Sequence, residues 1–433
     1  MPSQLSRRRF LRKSAAAGAA VAAGAFAAPA VAQEISPNEK LNVAVIGVAG
    51  RGSGNLQGVK GENIVVLCDV DDQRLGKAAE SFPAAKTFND FRKMLEELDA
   101  GIDAVVVSTP DHTHAPASVM AMKMGKHCYC EKPLAHNVNE ARVAAQVAAE
   151  KQLATQMGTQ IHAGSNYRRV VELIRGGAVG PVEEVHVWCG KGWGGGERPS
   201  DEPPVPEHLH WDLWLGPAPY RPYHPCYLPG QWRRWWDFGN GTLGDMACHY
   251  MDLPFWALGL RHPTTIEAEG PPLHPETCPT SLVVRYGFPA RDAMPAVAFT
   301  WYDGENRPPV LAAEGLPEWR AGVLFVGAEG MLLADYNKWQ LYPESKFADY
   351  RPPEPTIPES VGHHQEWIDA CKSGSPTTCN FDYSGALAEA VLLGNVAYRT
   401  GKKLRWDAER LQARNCPEAD QYLRRQYREG WTL

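Results

Sequence analysis

Lys132, Asp245 and His249 are the three residues of this chain best suited to handling the proton of a hydroxyl group. The segment Asp245-Met246-Ala247-Cys248-His249 places a carboxylate and an imidazole at i and i+4, on one face if it is helical. A carboxylate so placed can orient the ring and stabilise its protonated form, letting the imidazole take a hydroxyl proton while hydride leaves the same carbon. Lys132 stands in Glu131-Lys132-Pro133, directly after the apolar run His127–Cys130, at the edge where parallel sheets place their ligands. The plain alternatives are a solvated surface lysine and a helix-surface ion pair. A metal centre would need more ligands at suitable spacing. Neither His112-Thr113-His114 nor His363-His364 supplies them, so no metal is expected.

The elements that must carry these residues follow from the hydrophobic pattern. Leu41–Ile46, Ile64–Cys68, Ala104–Val107, His127–Cys130 and Ala154–Met157 read as strands buried on both faces. Helical stretches fall between them at 73–80, 89–98, 115–124 and 139–150. The alternation predicts an α/β fold with an N-terminal doubly wound parallel sheet of the Rossmann type. After the first strand comes Gly47-Val48-Ala49-Gly50-Arg51-Gly52, a G-x-G-x-x-G turn with Ala49 in the second glycine's place and Gly50 able to shift the loop. Asp69 closes the second strand about 20 residues on, where a carboxylate accepts hydrogen bonds from an adenosine ribose. The context predicts dinucleotide binding, with NAD favoured over NADP because Asp69 repels a 2′-phosphate; Arg74 weakens that preference. A second match, Gly239-Asn240-Gly241-Thr242-Leu243-Gly244, follows Trp235-Trp236-Asp237-Phe238 rather than a strand and is rejected as a phosphate loop.

Beyond this region, eight of the 14 tryptophans crowd between Trp188 and Trp256. Strands near 182–188, 281–286, 296–301, 323–326 and 331–334 predict a C-terminal α+β domain on an open, mostly antiparallel sheet. Ser384 to Arg399, stopped by Gly401, reads as a helix, and Arg351-Pro352-Pro353-Glu354-Pro355 as a surface loop. The chain of 433 residues is 44% hydrophobic and 22% charged, which excludes disordered, collagen-like, coiled-coil and disulfide-miniprotein classes. Its net charge is -6, and the first 32 residues hold five bases (Arg7, Arg8, Arg9, Arg12, Lys13) and no acid. The body is therefore more acidic still, which argues against nucleic acid as a partner. The ten cysteines include no C-x-x-C pair and several lie in apolar runs, so buried free thiols are expected, with Cys371 and Cys379 the one candidate local bridge.

Ser6-Arg7-Arg8-Arg9-Phe10-Leu11-Arg12 resembles a twin-arginine export signal, followed by an Ala/Gly stretch and the A-x-A site Ala30-Val31-Ala32. The alternatives are a basic nuclear-type cluster and an anchor helix. The expected organisation is a signal at 1–32, an NAD-binding domain at 38–160, and a substrate-binding and oligomerisation domain at 161–433. Export through the twin-arginine translocase would place the mature chain in the periplasm or another extracytoplasmic space, with no membrane span in it.

Taken together, Gly47 to Gly52, Asp69, Ser108-Thr109-Pro110, Glu131-Lys132-Pro133 and the Asp245/His249 pair resemble the Gfo/Idh/MocA oxidoreductases, from about Leu41 to near Arg405. The resemblance implies that Lys132 and His249 bracket a reacting hydroxyl, with Asp245 polarising His249. It implies that Ser108, Thr109, Pro110, His112 and His114 line the nicotinamide side with Glu131 and Gln160 nearby, and that Val48 and Arg51 join the cofactor loop. Tyr167, Arg168 and the Trp235-Trp236 pair become candidates for substrate or cofactor contact, and a homo-oligomer is expected. The implied reaction is hydride transfer between a sugar, polyol or glycoside hydroxyl and a tightly bound nicotinamide, which an exported enzyme must recycle in place. Two alternatives remain: a redox-neutral glycosidase acting through transient oxidation of a ring hydroxyl, and a carbohydrate-binding protein that lost turnover.

Overall fold

The computed structural model describes residues 39–292 and 294–433; the segment read as an export signal lies outside them. Six strands, β1 (Asn42–Ile46), β2 (Asn63–Cys68), β3 (Lys86–Phe88), β4 (Ala104–Val107), β5 (His127–Cys130) and β6 (Thr155–Met157), form one parallel sheet in the order β3-β2-β1-β4-β5-β6. This is the doubly wound order, with the direction of winding reversing between β1 and β4, where such sheets open a crevice for ligands. Alternate residues of β1 serve two cores: Val43 and Val45 pack on one face, Ala44 and Ile46 on the other. That two-sided burial explains the unbroken apolar run. The sequence reading missed β3, whose three residues Lys86-Thr87-Phe88 leave no periodicity to detect.

Nine further strands build the second sheet: β7 (Val182–Cys189), β8 (Thr265–Glu269), β9 (Val283–Phe288), β10 (Val297–Asp303), β11 (Ala321–Gly327), β12 (Gly330–Ala334), β13 (Trp339–Tyr342), β14 (Leu404–Asp407) and β15 (Gln412–Ala413). Their order is β13-β12-β11-β7-β10-β9-β8-β14-β15, with β7 and β10 parallel and the other neighbours antiparallel. Strands β8, β13, β14 and β15 escaped the sequence reading because they are short and rich in polar residues. The helix Phe381–Thr400 is buried along nearly its whole length between this sheet and the helix Val138–Glu150. Asn380 caps its start by accepting from the Tyr383 backbone N–H, and Gly401 ends it in the left-handed region at φ 63°. All ten cysteines are free thiols, Cys371 and Cys379 included. No helix among the described residues is long and apolar enough to cross a membrane.

The late segment does not respect a boundary at residue 160. The helix His363–Ser373 packs on the first helix of the parallel-sheet domain, Arg51–Val59, and its Trp367 and Ile368 join the core formed by Val43, Val45, Leu56 and Val59. Trp431 likewise lies against Phe91, with the Arg92 guanidinium 3.9 Å from its ring centre. Returning segments after residue 360 finish the N-terminal core, because the apolar face of the Arg51–Val59 helix would otherwise meet water. Trp367→Ala is therefore expected to lower unfolding free energy by about 3–5 kcal/mol, read by urea denaturation. A loss under about 1 kcal/mol would show that the helix merely rests on the domain.

Candidate active site

The glycine-rich turn leaves β1 into the helix Arg51–Val59, and two glycines explain its path. Gly47 has φ 84°, and a Cβ there would meet the Ser108 carbonyl oxygen at 2.7 Å. A Cβ on Gly52 would come 2.0 Å from the Gly47 oxygen, so the helix can start this close to the strand only without a side chain. Gly50, with open space around it, has a positive φ of 57° with ψ −119°, while Ala49 stays in the turn without a positive φ. Backbone N–H groups of Val48 and Asp71 donate to the two oxygens of Asp69, at 3.0 and 3.1 Å. Arg74 pairs with Asp71 at 3.2 Å.

One cleft of about 660 Å³ runs from this turn to the second domain. Gly47, Ala49, Gly50, Arg51, Asp69 and Arg74 line one end; Ser108, Thr109, Pro110, His114, Glu131, Lys132, Gln160 and His249 line the rest. Glu131 is a buried hub, accepting from Arg51 Nε at 3.1 Å, Asn55 Nδ2 at 2.9 Å and Gln160 Nε2 at 2.8 Å, and Arg51 and Lys132 hold its carboxyl below the usual range against the cost of burial. Asn55 also donates to Ser108 Oγ at 2.9 Å. The His114 ring nitrogens lie 2.7 Å from the carbonyl oxygens of Pro133 and Thr109, tying the turn after β4 to the turn after β5.

Asp245 and His249 lie on the helix Gly241–Tyr250 as the spacing predicted, but their relationship differs from the expected one. Lys132 Nζ donates to Asp245 Oδ1 at 2.6 Å and to the Asp245 carbonyl oxygen at 2.8 Å, and Arg233 Nε donates to the same Oδ1 at 2.9 Å. Charge-assisted bonds to two cations outcompete a neutral ring. Asp245 therefore does not hydrogen-bond the His249 imidazole, and the expectation that it polarises the ring directly is corrected. Burial would raise the Asp245 carboxyl, yet Lys132 and Arg233 hold it far below the ordinary range. Burial, reinforced by Lys132, drives His249 the other way, down to about 3 against an opposing pull from Asp245, so the ring is neutral. A neutral imidazole beside a charged ammonium is a base next to a hydrogen-bond donor, the pair needed to take a proton from a hydroxyl.

Several expected contacts fall elsewhere. His112 is buried against Trp214 and Phe238, its Nε2 on the Trp214 carbonyl oxygen, because its side of the helix Asp111–Lys123 faces the aromatic core. Trp236 is buried with its Nε1 donating to the His274 oxygen; Trp214 and Trp232 reach the cleft instead. Tyr167 stands behind the site, donating from its hydroxyl to the His249 oxygen at 3.0 Å. Arg168 points to the Pro358 carbonyl and does not line the cleft. The sequence reading missed Arg233, Asn55 and Asp111. Arg233 lies in the Trp-rich stretch, where basic residues look like solvated charges. Asp111 is buried at the start of its helix, its carboxyl lifted to about 7 by burial against the pull of Arg233 and Lys132. Among the described residues, one trio could ligate a metal, His162, Asp252 and Cys379, but His162 Nδ1 and Tyr383 hydroxyl already share the Asp252 carboxylate.

The chain matches the family model described as an oxidoreductase family with an NAD-binding Rossmann fold over residues 41–159, and that family's C-terminal alpha/beta domain over residues 181–309. It belongs to the Gfo/Idh/MocA oxidoreductase family, and its N-terminal domain is the NAD-binding one. It is similar to an alpha-N-acetylgalactosaminidase of Shewanella oneidensis, 28% identical over 205 residues that cover 41% of this chain and 44% of that protein. It is also similar to an inositol 2-dehydrogenase of Rubrobacter xylanophilus, 33% identical over 149 residues covering 33% of this chain and 42% of that one. The chain thus spans less than half the length of these curated relatives. Among solved structures, the WlbA dehydrogenase of Bordetella pertussis in complex with NADH and UDP-GlcNAcA shares the fold with a TM-score of 0.61 and 17% identity, covering 85% of this chain and 99% of that one. A levoglucosan dehydrogenase in complex with NADH and levoglucosan gives 0.56 and 18%, covering 83% and 97%.

The depressed His249 pKa has a consequence for stability. The folded protein keeps the ring neutral where the unfolded chain, with an ordinary value of 6.5, takes up a proton. Its stabilising contribution is complete above pH 6.5 and is lost as pH falls toward 3. Between pH 6.5 and 4, His249→Gln is expected to lose about 1–3 kcal/mol less unfolding free energy than the parent. Parallel pH profiles from chemical denaturation would show instead that the ring protonates freely.

Proposed function

We propose that this protein oxidises a secondary hydroxyl of a sugar, polyol or glycoside, with NAD held in the cleft. The carrying observation is that Lys132 and a neutral His249 line the same cleft as the Gly47–Gly52 turn and Asp69. The residues suit the dinucleotide: the turn brings backbone within reach of a pyrophosphate, and Asp69 closes β2 where a ribose would lie. When bound, the nicotinamide supplies the hydride acceptor.

The side chains then have separate tasks. The Lys132 ammonium, with Asp245 fixing its position, donates a hydrogen bond to the substrate oxygen and favours its developing negative charge. His249 takes the hydroxyl proton, which its neutral ring can accept without first losing one. Tyr167 fixes the backbone of His249, and Trp214 and Trp232 limit water at the cleft wall.

The relatives described as glycosyl hydrolase family 109 proteins favour a second reading, in which the oxidation is transient and the net change is hydrolysis. The basic segment from Ser6 to Arg12 supports an exported enzyme. Such an enzyme would keep its nicotinamide bound and restore it within each cycle, and we infer a homo-oligomer.

Lys132→Ala and His249→Ala are each expected to lower turnover by about 10²–10⁴ while NAD affinity, read by calorimetry, changes little. Unaltered turnover removes that residue from the mechanism. In the same assay, reduced-nicotinamide absorbance that persists until a carbonyl compound discharges it identifies net oxidation. Steady aglycone release without lasting absorbance identifies hydrolysis.

A further inference from the structure

The helix Gly241–Tyr250 borders a second cavity, of about 500 Å³, lined by Met246 and Tyr250 on the helix and by Lys191, Arg320, Lys338 and Trp319 from the loops around it. Met246 and Tyr250 directly follow Asp245 and His249 in sequence, one residue's rise of about 1.5 Å along the helix axis. The helix thus borders both cavities, with His249 lining the cleft and Met246 and Tyr250 lining this one.

Its charge is unusual for an acidic chain. Lys191 Nζ has only the Met246 sulfur for a partner, at 3.4 Å, and Lys338 Nζ sits 3.9 Å from the centre of the Trp319 ring. Among the described residues neither of these lysines, nor Arg320, forms an ion pair. The one carboxylate in the lining, Asp335, accepts through its Oδ1 from the backbone N–H groups of Asn337 and Lys338, at 2.8 and 2.9 Å. Three cations and one carboxylate thus line one concavity, a net positive lining where field lines concentrate on an anion. Aromatic surface lies beside them: Tyr250 stacks on Tyr336 with ring centres 4.5 Å apart, and Tyr336 abuts Tyr167, which holds His249.

We propose that this second cavity is a subsite for an oxyanion, a carboxylate, sulfate ester or phosphate ester, borne on a saccharide or aglycone unit adjoining the sugar that meets Lys132 and His249. The assignment rests on the carbohydrate reading above and narrows it to acidic glycans or glycosides. Lys191, Arg320 and Lys338 supply hydrogen bonds and charge, and the Trp319 and tyrosine rings supply a face for the adjoining ring.

The test is binding of the full-length protein to an array of uronate-, sulfate- and phosphate-bearing glycans beside their neutral counterparts, comparing the parent with Lys191→Ala/Arg320→Ala. Both substituted side chains are exposed, and an unchanged Tm confirms the fold. Expected are retention of acidic over neutral glycans by about tenfold or more in the parent, and a loss of about tenfold or more for acidic glycans alone in the double variant. The three acidic arms identify the oxyanion. Equal retention of acidic and neutral glycans, no retention of acidic ones, or undiminished retention by the variant each overturns the subsite. Acidic glycans that bind through Lys191 and Arg320 yet never reduce NAD would instead sink the proposed reaction and leave the subsite standing.

Discussion

The contact on which the site most depends is the buried cluster of Lys132, Asp245 and Arg233. Lys132 comes from the turn after β5 of the parallel sheet; Asp245 and Arg233 come from the second domain. The Lys132 and Asp245 side chains retain only 11% and 9% of their exposure, so both charges have left most of their water behind. Such a pair is favourable only while each charge keeps its partner, and removing one side strands the other. Asp245 meets that demand twice over, with an ammonium and a guanidinium on one oxygen. The same contact couples the domains: Lys132 stays aimed into the cleft only while the Gly241–Tyr250 helix stays in place.

Other features of the site follow from that pinning. His249 is neutral partly because it is buried and partly because the Lys132 charge is held next to it. Glu131, one residue before Lys132, is gripped by Arg51, Asn55 and Gln160, which locks the start of the turn from the opposite side. His114 bridges the Thr109 and Pro133 carbonyls and fixes the spacing between the two strand ends that frame the cleft. The lysine is therefore held by its own charge on one side and by a hydrogen-bonded scaffold on the other, and holding a reacting group in place is itself a large part of catalysis.

Much of the fold was legible because it rests on short-range pattern. Buried parallel strands announce themselves as apolar runs, and Gly47, Gly52 and Asp69 have fixed places relative to β1 and β2. What escaped depends on partners distant in sequence. Nothing near Asp245 says that its carboxylate turns to Lys132, 113 residues earlier, rather than to His249 one helical turn away. Arg233 and Asn55 look like ordinary surface polar residues until the chain folds around them, and Trp367 looks like a residue of the second domain until its helix returns to the first. The density of tryptophan could not tell Trp232, at the cleft wall, from Trp236, which is buried with its indole N–H on a carbonyl.

The electrostatics also order the proton's movement. A histidine hydrogen-bonded to a carboxylate would be a stronger base but would tend to arrive already protonated near neutral pH; His249, denied that partner, arrives empty. Asp245 gives its hydrogen bond to the Lys132 ammonium rather than to the ring, and in the proposed reaction that ammonium would face the substrate oxygen as it becomes negative. After transfer, an imidazolium would sit beside an ammonium in a poorly hydrated cleft, and like charges at close range repel. A proton on this ring would thus be held weakly, so that it can be returned to the substrate or passed to water. That would suit the proposed reaction if the nicotinamide is restored within each cycle, and it follows from burial together with the Lys132 charge that Asp245 holds in place.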